Sequence, residues 1–137
     1  MITAHGFSFP IRVYYEDTDA GGVVYHARYL HFFERARTEY LRCAGFSQHT
    51  LLNEQQLAFV VKAMNIDYRY PAKLDNLLIV ETLVTELKGA SIFFTQRLKK
   101  EEQILCEATV KVACVDLGKM KPIAIPAEMK AVLVNEL

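Results

Sequence analysis

Residues 27–44, ARYLHFFERARTEYLRCA, decide the fold class of this 137-residue chain. Apolar side chains recur here at the spacing of one helix face: Leu30, Phe33, Ala36, Tyr40, Leu41 and Ala44, with Tyr29 and Phe32 beside them. Gly45 follows, as is typical just beyond a helix end, and Arg42 suits the negative end of the helix dipole. The pattern predicts one long helix from Ala27 to Ala44, with a broad apolar face that must be covered.

The sequence on both sides of this helix has the period of two that is typical of β-strands. Phe7 to Glu16 predicts a strand before the helix, and the sequence after Leu57 alternates in four or so further runs. Turn residues separate these runs at 71–76, 88–89, 99–103 and 116–119. Such short connections favour antiparallel pairing. The polar phase changes between Lys62 and Asn65, which predicts a β-bulge.

Two shorter helical segments complete the pattern. Phe46 to Glu54 favours a helical turn, and Pro126 to Val134 predicts a terminal helix with the proline near its first position. The predicted order is strand, long helix, about four strands and short helix, within a single domain over residues 1–137. An α+β fold, in which a long antiparallel sheet wraps a central helix, satisfies this order. The uncovered face or edge of the sheet predicts an oligomer.

Composition excludes several classes of partner. The formal net charge is zero, so the basic excess that nucleic-acid binding requires is missing. No apolar stretch is long enough to span a membrane, and the first ten residues do not resemble a signal peptide. The odd count of three cysteines, with Cys106 and Cys114 far apart on one strand, indicates reduced thiols. We therefore expect a cytoplasmic protein, with peripheral attachment to a membrane left open.

The most polar cluster is the acidic stretch 16–19, between the first strand and the long helix. An ordinary solvated turn is one interpretation, because Asp is a common turn residue. A calcium loop is excluded, since Asp17, Asp19 and Gly22 fit such a loop but Arg28 stands where the bidentate carboxylate is required. The chain also lacks zinc-ligand spacing, glycine-rich phosphate loops and a nucleophile elbow. We expect no metal and no bound cofactor.

A carboxylate beside a glycine turn that opens a helix has a chemical use. The free N–H groups at a helix N-terminus carry partial positive charge and can hold the oxyanion of a tetrahedral intermediate. A nearby carboxylate can attack the carbonyl carbon or deprotonate a water molecule. The combination therefore indicates acyl transfer.

The segment 12–25, RVYYEDTDAGGVVY, resembles the active-site signature of the 4-hydroxybenzoyl-CoA thioesterase family. Its continuation through residues 26–37, HARYLHFFERAR, is similar to the branch of that family associated with the Tol-Pal envelope system. The similarity extends over most of the chain, including the aromatic strand that ends at Tyr70-Pro71.

The resemblance implies a hotdog fold, sheets that pair in dimers and commonly in tetramers, and acyl-CoA thioester substrates. It assigns the catalytic carboxylate to Asp19, as nucleophile or general base, and the donor that polarises the thioester carbonyl to the His26 N–H. Asp17 and Asp19 are two residues apart, so in an extended segment both side chains would point the same way.

The remaining site residues are expected to contact the substrate. Tyr15, Gly22 and Tyr25 are placed around the acyl group, although aromatic residues beside a strand end are more often core. Lys88 lies in a turn that resembles a basic, nucleotide-contacting turn of the hydroxybenzoyl branch of the family. In this chain the basic cluster of that turn is reduced to one lysine. Lys119 and Lys121 are a second candidate phosphate contact. For all three lysines, an ordinary solvated side chain is the simpler interpretation. Glu34 is expected to have a structural role, either paired with Arg37 or near a helix end.

The predicted function is hydrolysis of a small acyl-CoA to the free acid and CoA. Two alternatives stay open: a hotdog hydratase or dehydratase that uses Asp19 with His26, and a non-catalytic module that binds acyl-CoA or acyl carrier protein. Acyl carrier protein is also a possible natural carrier of the substrate.

Overall fold

A computed structural model describes residues 2–3 and 6–134 of the chain. Its α-helices and strands, in chain order, are β1 (Ile2–Thr3), β2 (Gly6–Arg12), α1 (Arg28–Cys43), α2 (Gln48–Gln55), β3 (Leu57–Tyr68), β4 (Leu77–Lys88), β5 (Ser91–Lys100), β6 (Gln103–Asp116), β7 (Lys121–Pro122) and α3 (Ala127–Val134). A single 3₁₀ turn, Tyr15–Asp17, lies between β2 and α1. The three predicted helices are present with boundaries shifted by one or two residues.

Helix α1 buries the face that its periodicity predicts. The buried residues are Tyr29, Phe32, Phe33, Ala36, Arg37, Tyr40 and Leu41. Gly45 ends the helix with φ of 102°, a left-handed conformation that glycine adopts without steric cost. Leu30 was predicted to share the covered face but is 43% exposed. The chain's own sheet therefore leaves part of the first helical turn uncovered.

The sheet is antiparallel throughout the described residues, in the order β1-β2-β4-β5-β6-β3, with β7 paired to β6. A register shift in β3 lies between Val61 and Ala63, next to the predicted bulge, and a second lies in β4 between Val84 and Glu86. β3 pairs with β6 on one side only, so it forms an edge of the sheet.

The core lies between the inner face of the sheet and α1. Alternate residues of β5 (Ile92, Phe94, Gln96 and Leu98) are buried, as are Ala108, Val110, Val112 and Cys114 of β6. Aromatic rings join the two layers, since Tyr40 of α1 meets Phe94 edge-on with centroids 6.1 Å apart. The period-two pattern thus predicted the faces of both strands correctly.

One polar network crosses this apolar layer. The Arg37 guanidinium donates from Nη1 to Gln96 Oε1 at 2.9 Å, and Gln96 Nε2 donates to the Phe33 carbonyl and to Thr82 Oγ1. Burial lowers the pKa of Arg37, and Glu34 partly opposes this from a distance. The predicted Glu34–Arg37 pair is wrong as a direct contact, because the guanidinium is turned toward the buried amide of Gln96.

No helix within residues 2–3 and 6–134 is both long and apolar enough to cross a membrane.

Candidate functional site

The segment between β2 and α1 does not continue the strand. β2 ends at Arg12, so the predicted strand boundary at Glu16 is wrong. Tyr15–Asp17 instead forms a 3₁₀ turn, in which the Asp17 N–H donates to the Tyr14 carbonyl at 3.0 Å. The chain therefore bends before it reaches the two acids.

This bend separates the two acids, and the prediction that their side chains point the same way is wrong. Asp17 is 3% exposed; its Oδ2 accepts from the Tyr14 N–H at 2.9 Å, and its Oδ1 accepts from Nε and Nη2 of Arg28 at 3.0 and 2.8 Å. Asp19 is exposed. The premise of an extended segment fails because Asp17 ends a helical turn.

Asp19 lies in a turn held by its own backbone. Its N–H donates to the Val23 carbonyl at 3.0 Å, and its carbonyl accepts from the Gly22 N–H at 3.1 Å. The carboxylate accepts one bond, from the Gly21 N–H to Oδ1 at 2.9 Å. Oδ2 has no protein partner among the described residues. The turn therefore presents one free carboxylate oxygen to solvent.

Gly22 makes this turn possible. Its φ is +77°, in the left-handed region that disfavours side chains. Its carbonyl accepts from the Leu74 N–H at 3.0 Å, and the next ladder bond runs from the Val24 N–H to the Ala72 carbonyl at 2.8 Å. The turn is thus fastened to the loop that precedes β4. These contacts give Gly22 a structural role in shaping the site.

The N-terminus of α1 begins at the end of this turn. The Arg28 N–H donates to the Tyr25 carbonyl at 2.8 Å, and Ala27, at the N-cap, offers no side-chain cap. The His26 N–H has no acceptor within the described part of the chain. Free N–H groups at a helix start attract negative charge. The structure therefore provides a donor at the predicted position.

Aromatic residues surround this donor. The rings of Tyr25 and His26 lie 4.5 Å apart, and the Tyr68 hydroxyl donates to the His26 carbonyl at 3.3 Å. Tyr68 also packs edge-on against Tyr29, whose hydroxyl accepts from the Ala72 N–H. Burial raises the pKa of both Tyr29 and Tyr68. Tyr15 is 81% exposed, so it is not core and can contact a ligand.

Lys88 is not near this turn within one chain. β4 begins at Leu77, which pairs with Arg12 beside the site, and ends at Lys88. At about 3.3 Å per residue, the two ends of β4 are about 36 Å apart along the strand. Lys119 and Lys121 lie at the same end as Lys88, since Lys121 pairs with Asp116 at the end of β6, and Ser91 of β5 pairs with both Ala113 of β6 and Lys88. The structure brings Asp19, Gly22, Tyr25 and His26 together and leaves the three lysines apart.

The described cavities do not enclose the Asp19 carboxylate. One cavity of about 390 Å³ lies on the outer face of the sheet around Phe93, Thr95 and Lys111. One of about 310 Å³ borders Tyr14 and Asp17 on the other side of the 3₁₀ turn. Residues 2–3 and 6–134 contain no group of three or more His, Cys, Asp or Glu side chains that could hold a metal ion.

Sequence reasoning missed two features of the site. Arg28 was considered only as a residue that excludes calcium, whereas its side chain binds Asp17. Tyr68 was recognised as part of a strand but not as a donor to His26. The 11-residue and 42-residue separations follow no local spacing rule. The available signal for the ion pair was local: Asp17 has no basic neighbour in sequence, and α1 begins with an arginine, Arg28.

Comparison with known proteins supplies the family. Residues 21–107 match the thioesterase superfamily. This match begins two residues after Asp19, so it covers Gly22 and His26 but not the acid.

Individual proteins match over a longer part of the chain. The chain is 73% identical over 127 residues to acyl-CoA thioesterase YbgC from Haemophilus influenzae, which covers 93% of both chains. It is 54% identical over 126 residues to acyl-CoA thioester hydrolase YbgC from Escherichia coli O6:H1, which covers 91% of this chain and 93% of that protein. A probable thioesterase from Bartonella henselae has a similar structure, with a TM-score of 0.84 and 43% identity over 88% of this chain and 98% of that one. The sequence, the wrapped helix and these matches agree: the chain belongs to the thioesterase superfamily and has its hotdog fold.

Proposed function

We propose that the chain hydrolyses acyl-CoA thioesters to the free acid and CoA at the turn that opens α1. Asp19 is the nucleophile or general base, and the His26 N–H polarises the thioester carbonyl. One observation carries the proposal: a single turn presents a carboxylate oxygen and a peptide N–H that have no partners among the described residues. The relatives named as acyl-CoA thioesterases support the same chemistry.

Two routes use these groups. As a base, Asp19 takes a proton from water while the water oxygen bonds to the carbonyl carbon. As a nucleophile, its own oxygen bonds to that carbon, and water then cleaves the resulting anhydride. In both routes the carbonyl oxygen becomes negative and accepts a bond from the His26 N–H, the carbon–sulfur bond breaks, and CoA leaves as a thiolate that gains a proton. Neither route requires a bound cofactor.

The active form is a homodimer in this proposal, with a tetramer of two dimers as its extension. β3 is a 12-residue edge strand that carries exposed Val60 and Val61, at 44 and 46%. An open edge of this length pairs readily with another strand. The exposed Leu30 lies in the first turn of α1 and provides further apolar surface. A second copy paired along β3 would cover these groups.

The lysine placement fits a shared site. Lys88, Lys119 and Lys121 lie at the end of the sheet opposite to Asp19 of the same chain. Any contact that they make with the phosphates of a substrate at Asp19 would therefore come from the second subunit. Acyl carrier protein remains an alternative carrier to CoA.

The acyl group is proposed to be small. A cavity of about 120 Å³ lies beside α1 and β3, lined by Glu34, Arg37 and Val61 among others. A space of this size suits a short acyl chain better than a long one. Phe59 and Val61 of β3, the edge strand that the second copy would cover, are among its lining residues.

The proposed setting is a single domain in the cytoplasm, in the Tol-Pal-associated branch that the sequence resembles. The three cysteines, Cys43, Cys106 and Cys114, are free thiols, which suits a reducing compartment. Peripheral attachment to the inner membrane is the alternative location.

The test is a thiol-release assay over acyl-CoA and acyl-carrier-protein thioesters of increasing chain length and with aromatic acids. We expect release of CoA with the highest kcat/KM for short acyl groups. Binding without release would replace the proposal with a non-catalytic module. Addition of water to enoyl-CoA without thiol release would replace it with a hydratase.

A further inference from the structure

We infer that Asp17 and Arg28 act as a positioning pair that fixes the direction of the His26 N–H, an inference that rests on the function proposed above. Neither side chain is assigned to the reaction itself. Each residue is two positions away from one that is assigned to the reaction: Asp17 precedes Asp19, and Arg28 follows His26.

The direction of the donor depends on one peptide. The His26 N–H belongs to the peptide whose carbonyl is that of Tyr25. The described peptides are trans, so the N–H and C=O of this unit point in opposite directions. The carbonyl points to the Arg28 N–H at 2.8 Å, inside the first turn of α1. The His26 N–H must therefore point away from the helix, toward the side where a substrate can enter.

Asp17 holds this peptide from both of its flanks. Its main-chain carbonyl accepts from the Tyr25 N–H at 3.0 Å, and its Oδ1 accepts two bonds from the Arg28 guanidinium at 3.0 and 2.8 Å. Its Oδ2 accepts from the N–H of Tyr14, the N-cap of the 3₁₀ turn, at 2.9 Å. One residue thus joins the 3₁₀ turn, the Tyr25 N–H and the start of α1.

The pair is suited to this role because it is shielded. The Asp17 and Arg28 side chains are 5 and 26% exposed, so water competes less for their bonds than at the surface. Without the pair, no side-chain bond would join Asp17 to the start of α1, and the peptide between Tyr25 and His26 could rotate. A displacement of about 1 Å at a catalytic group can lower a rate about a hundredfold. The loss should appear in kcat, because the donor acts on the oxyanion of the transition state.

The experiment compares Asp17→Asn, Arg28→Met, the double variant and Arg28→Lys in the native oligomer. Kinetics are measured with the best substrate of the panel, well below the unfolding temperature of each variant, and thermal unfolding is recorded in parallel. Arg97→Met is the matched control, since Arg97 forms an ion pair with Glu107 at 2.6 Å on the outer face of the sheet.

We expect Asp17→Asn and Arg28→Met each to lower kcat ten- to a hundredfold, with KM changed less than about threefold. The double variant should be no slower than the slower single variant, because both changes break the same contact. Arg28→Lys, which keeps the charge and one donor, should stay within about fivefold of the unchanged protein. Arg97→Met should leave kcat unchanged.

Two results would overturn the inference. One is a lower unfolding temperature with kcat within twofold, which would make the pair merely stabilising. The other is multiplication of the two single effects in the double variant, which would make the residues independent. Asp19→Asn, assayed alongside, separates the two proposals: if it is inactive while the pair variants are active, only this inference fails. If Asp19→Asn is active, the proposed function fails.

Discussion

Polar groups meet α1 in two places that are built in opposite ways. Under the middle of the helix, the Gln96 amide uses its oxygen and both of its protons in bonds to Arg37, Phe33 and Thr82. At the start of the helix, Asp19 Oδ2 and the His26 N–H have no partners among the described residues. Saturated buried groups hold a core in one arrangement, whereas unsaturated groups at an accessible turn are free to bind a substrate. The two places should therefore respond oppositely to mutation.

The largest effect is expected at the turn. Asp19→Asn keeps the shape of the side chain but removes the charge that we propose attacks the carbonyl or activates water. We expect kcat to fall at least about a hundredfold, with KM and thermal stability little changed. Steady-state kinetics with circular dichroism measure this. Glu16→Gln is the matched control, an exposed neighbouring acid that should cost almost nothing. A Glu16→Gln variant that is inactive would move the chemistry to that acid.

The opposite signature is expected in the core. Gln96→Leu leaves the Arg37 guanidinium and Thr82 buried without their amide partner. We expect a loss of about 2–4 kcal/mol in the free energy of unfolding, with kcat of the folded fraction nearly unchanged. Urea denaturation measures the stability. Thr95→Val, the preceding residue on the outer face of β5, should cost less than about 1 kcal/mol. Equal losses for both variants would contradict the importance of the network.

A smaller effect is expected at the β3 edge. Like the turn, this edge carries backbone groups that no neighbouring strand pairs with. Val61→Glu places a charge on the surface through which a second copy would pair, so the dimer dissociation constant should rise at least about tenfold. Light scattering across a dilution series measures this. Val134→Glu, an equally exposed valine at the end of α3, should leave assembly unchanged. A monomer of 15.6 kDa at micromolar concentration in the unchanged protein would refute the proposed assembly outright.

The smallest effect is expected in the reactivity of the three cysteines toward thiol reagents. Cys43 is exposed, whereas Cys106 and Cys114 are buried. Burial raises the pKa of Cys106 to about 12 and also raises that of Cys114, so both thiols stay protonated and unreactive at neutral pH. A thiol reagent at pH 8 should label one cysteine in the folded protein and three in denaturant. Rapid labelling of more than one in the folded protein would contradict the burial.

The same shift has a consequence for stability at high pH. The Cys106 thiol loses its proton near pH 9 in the unfolded chain but keeps it to about pH 12 in the fold. Between these pH values the unfolded state binds fewer protons than the folded state. The free energy of unfolding that the protonated Cys106 contributes is therefore lost as the pH rises from 9 to about 12.

Much of this arrangement could be predicted from periodicity. The helix, the faces of β5 and β6, the turn residues and the β3 bulge all follow from side chains that repeat with the period of their element. The acidic turn and its glycine were also visible, because Gly22 stands where a left-handed residue is required. These features are local, so each can be recognised from a short window of sequence.

The errors have a different origin. The strand boundary at Glu16 and the common direction of the two acids both assumed an extended segment, which the 3₁₀ turn at Tyr15–Asp17 replaces. The expected Glu34–Arg37 pair followed a helical spacing rule, yet Arg37 binds Gln96, 59 residues away. In the first case a local turn replaced the extended strand, and in the second a long-range partner outcompeted the local preference.

The sequence by itself determined the fold class, the faces of the main elements and the acid–glycine turn before the helix, because periodicity and backbone conformation act over a few residues. Only the tertiary structure decided which acid is buried, which peptide N–H stays free and which lysines lie far from the turn. Those outcomes depend on contacts such as Asp17–Arg28 and Tyr68–His26, between residues distant in sequence. Such contacts form because folding leaves a buried charge or a peptide group that needs a partner, and the available partner is set by the packing of the whole chain.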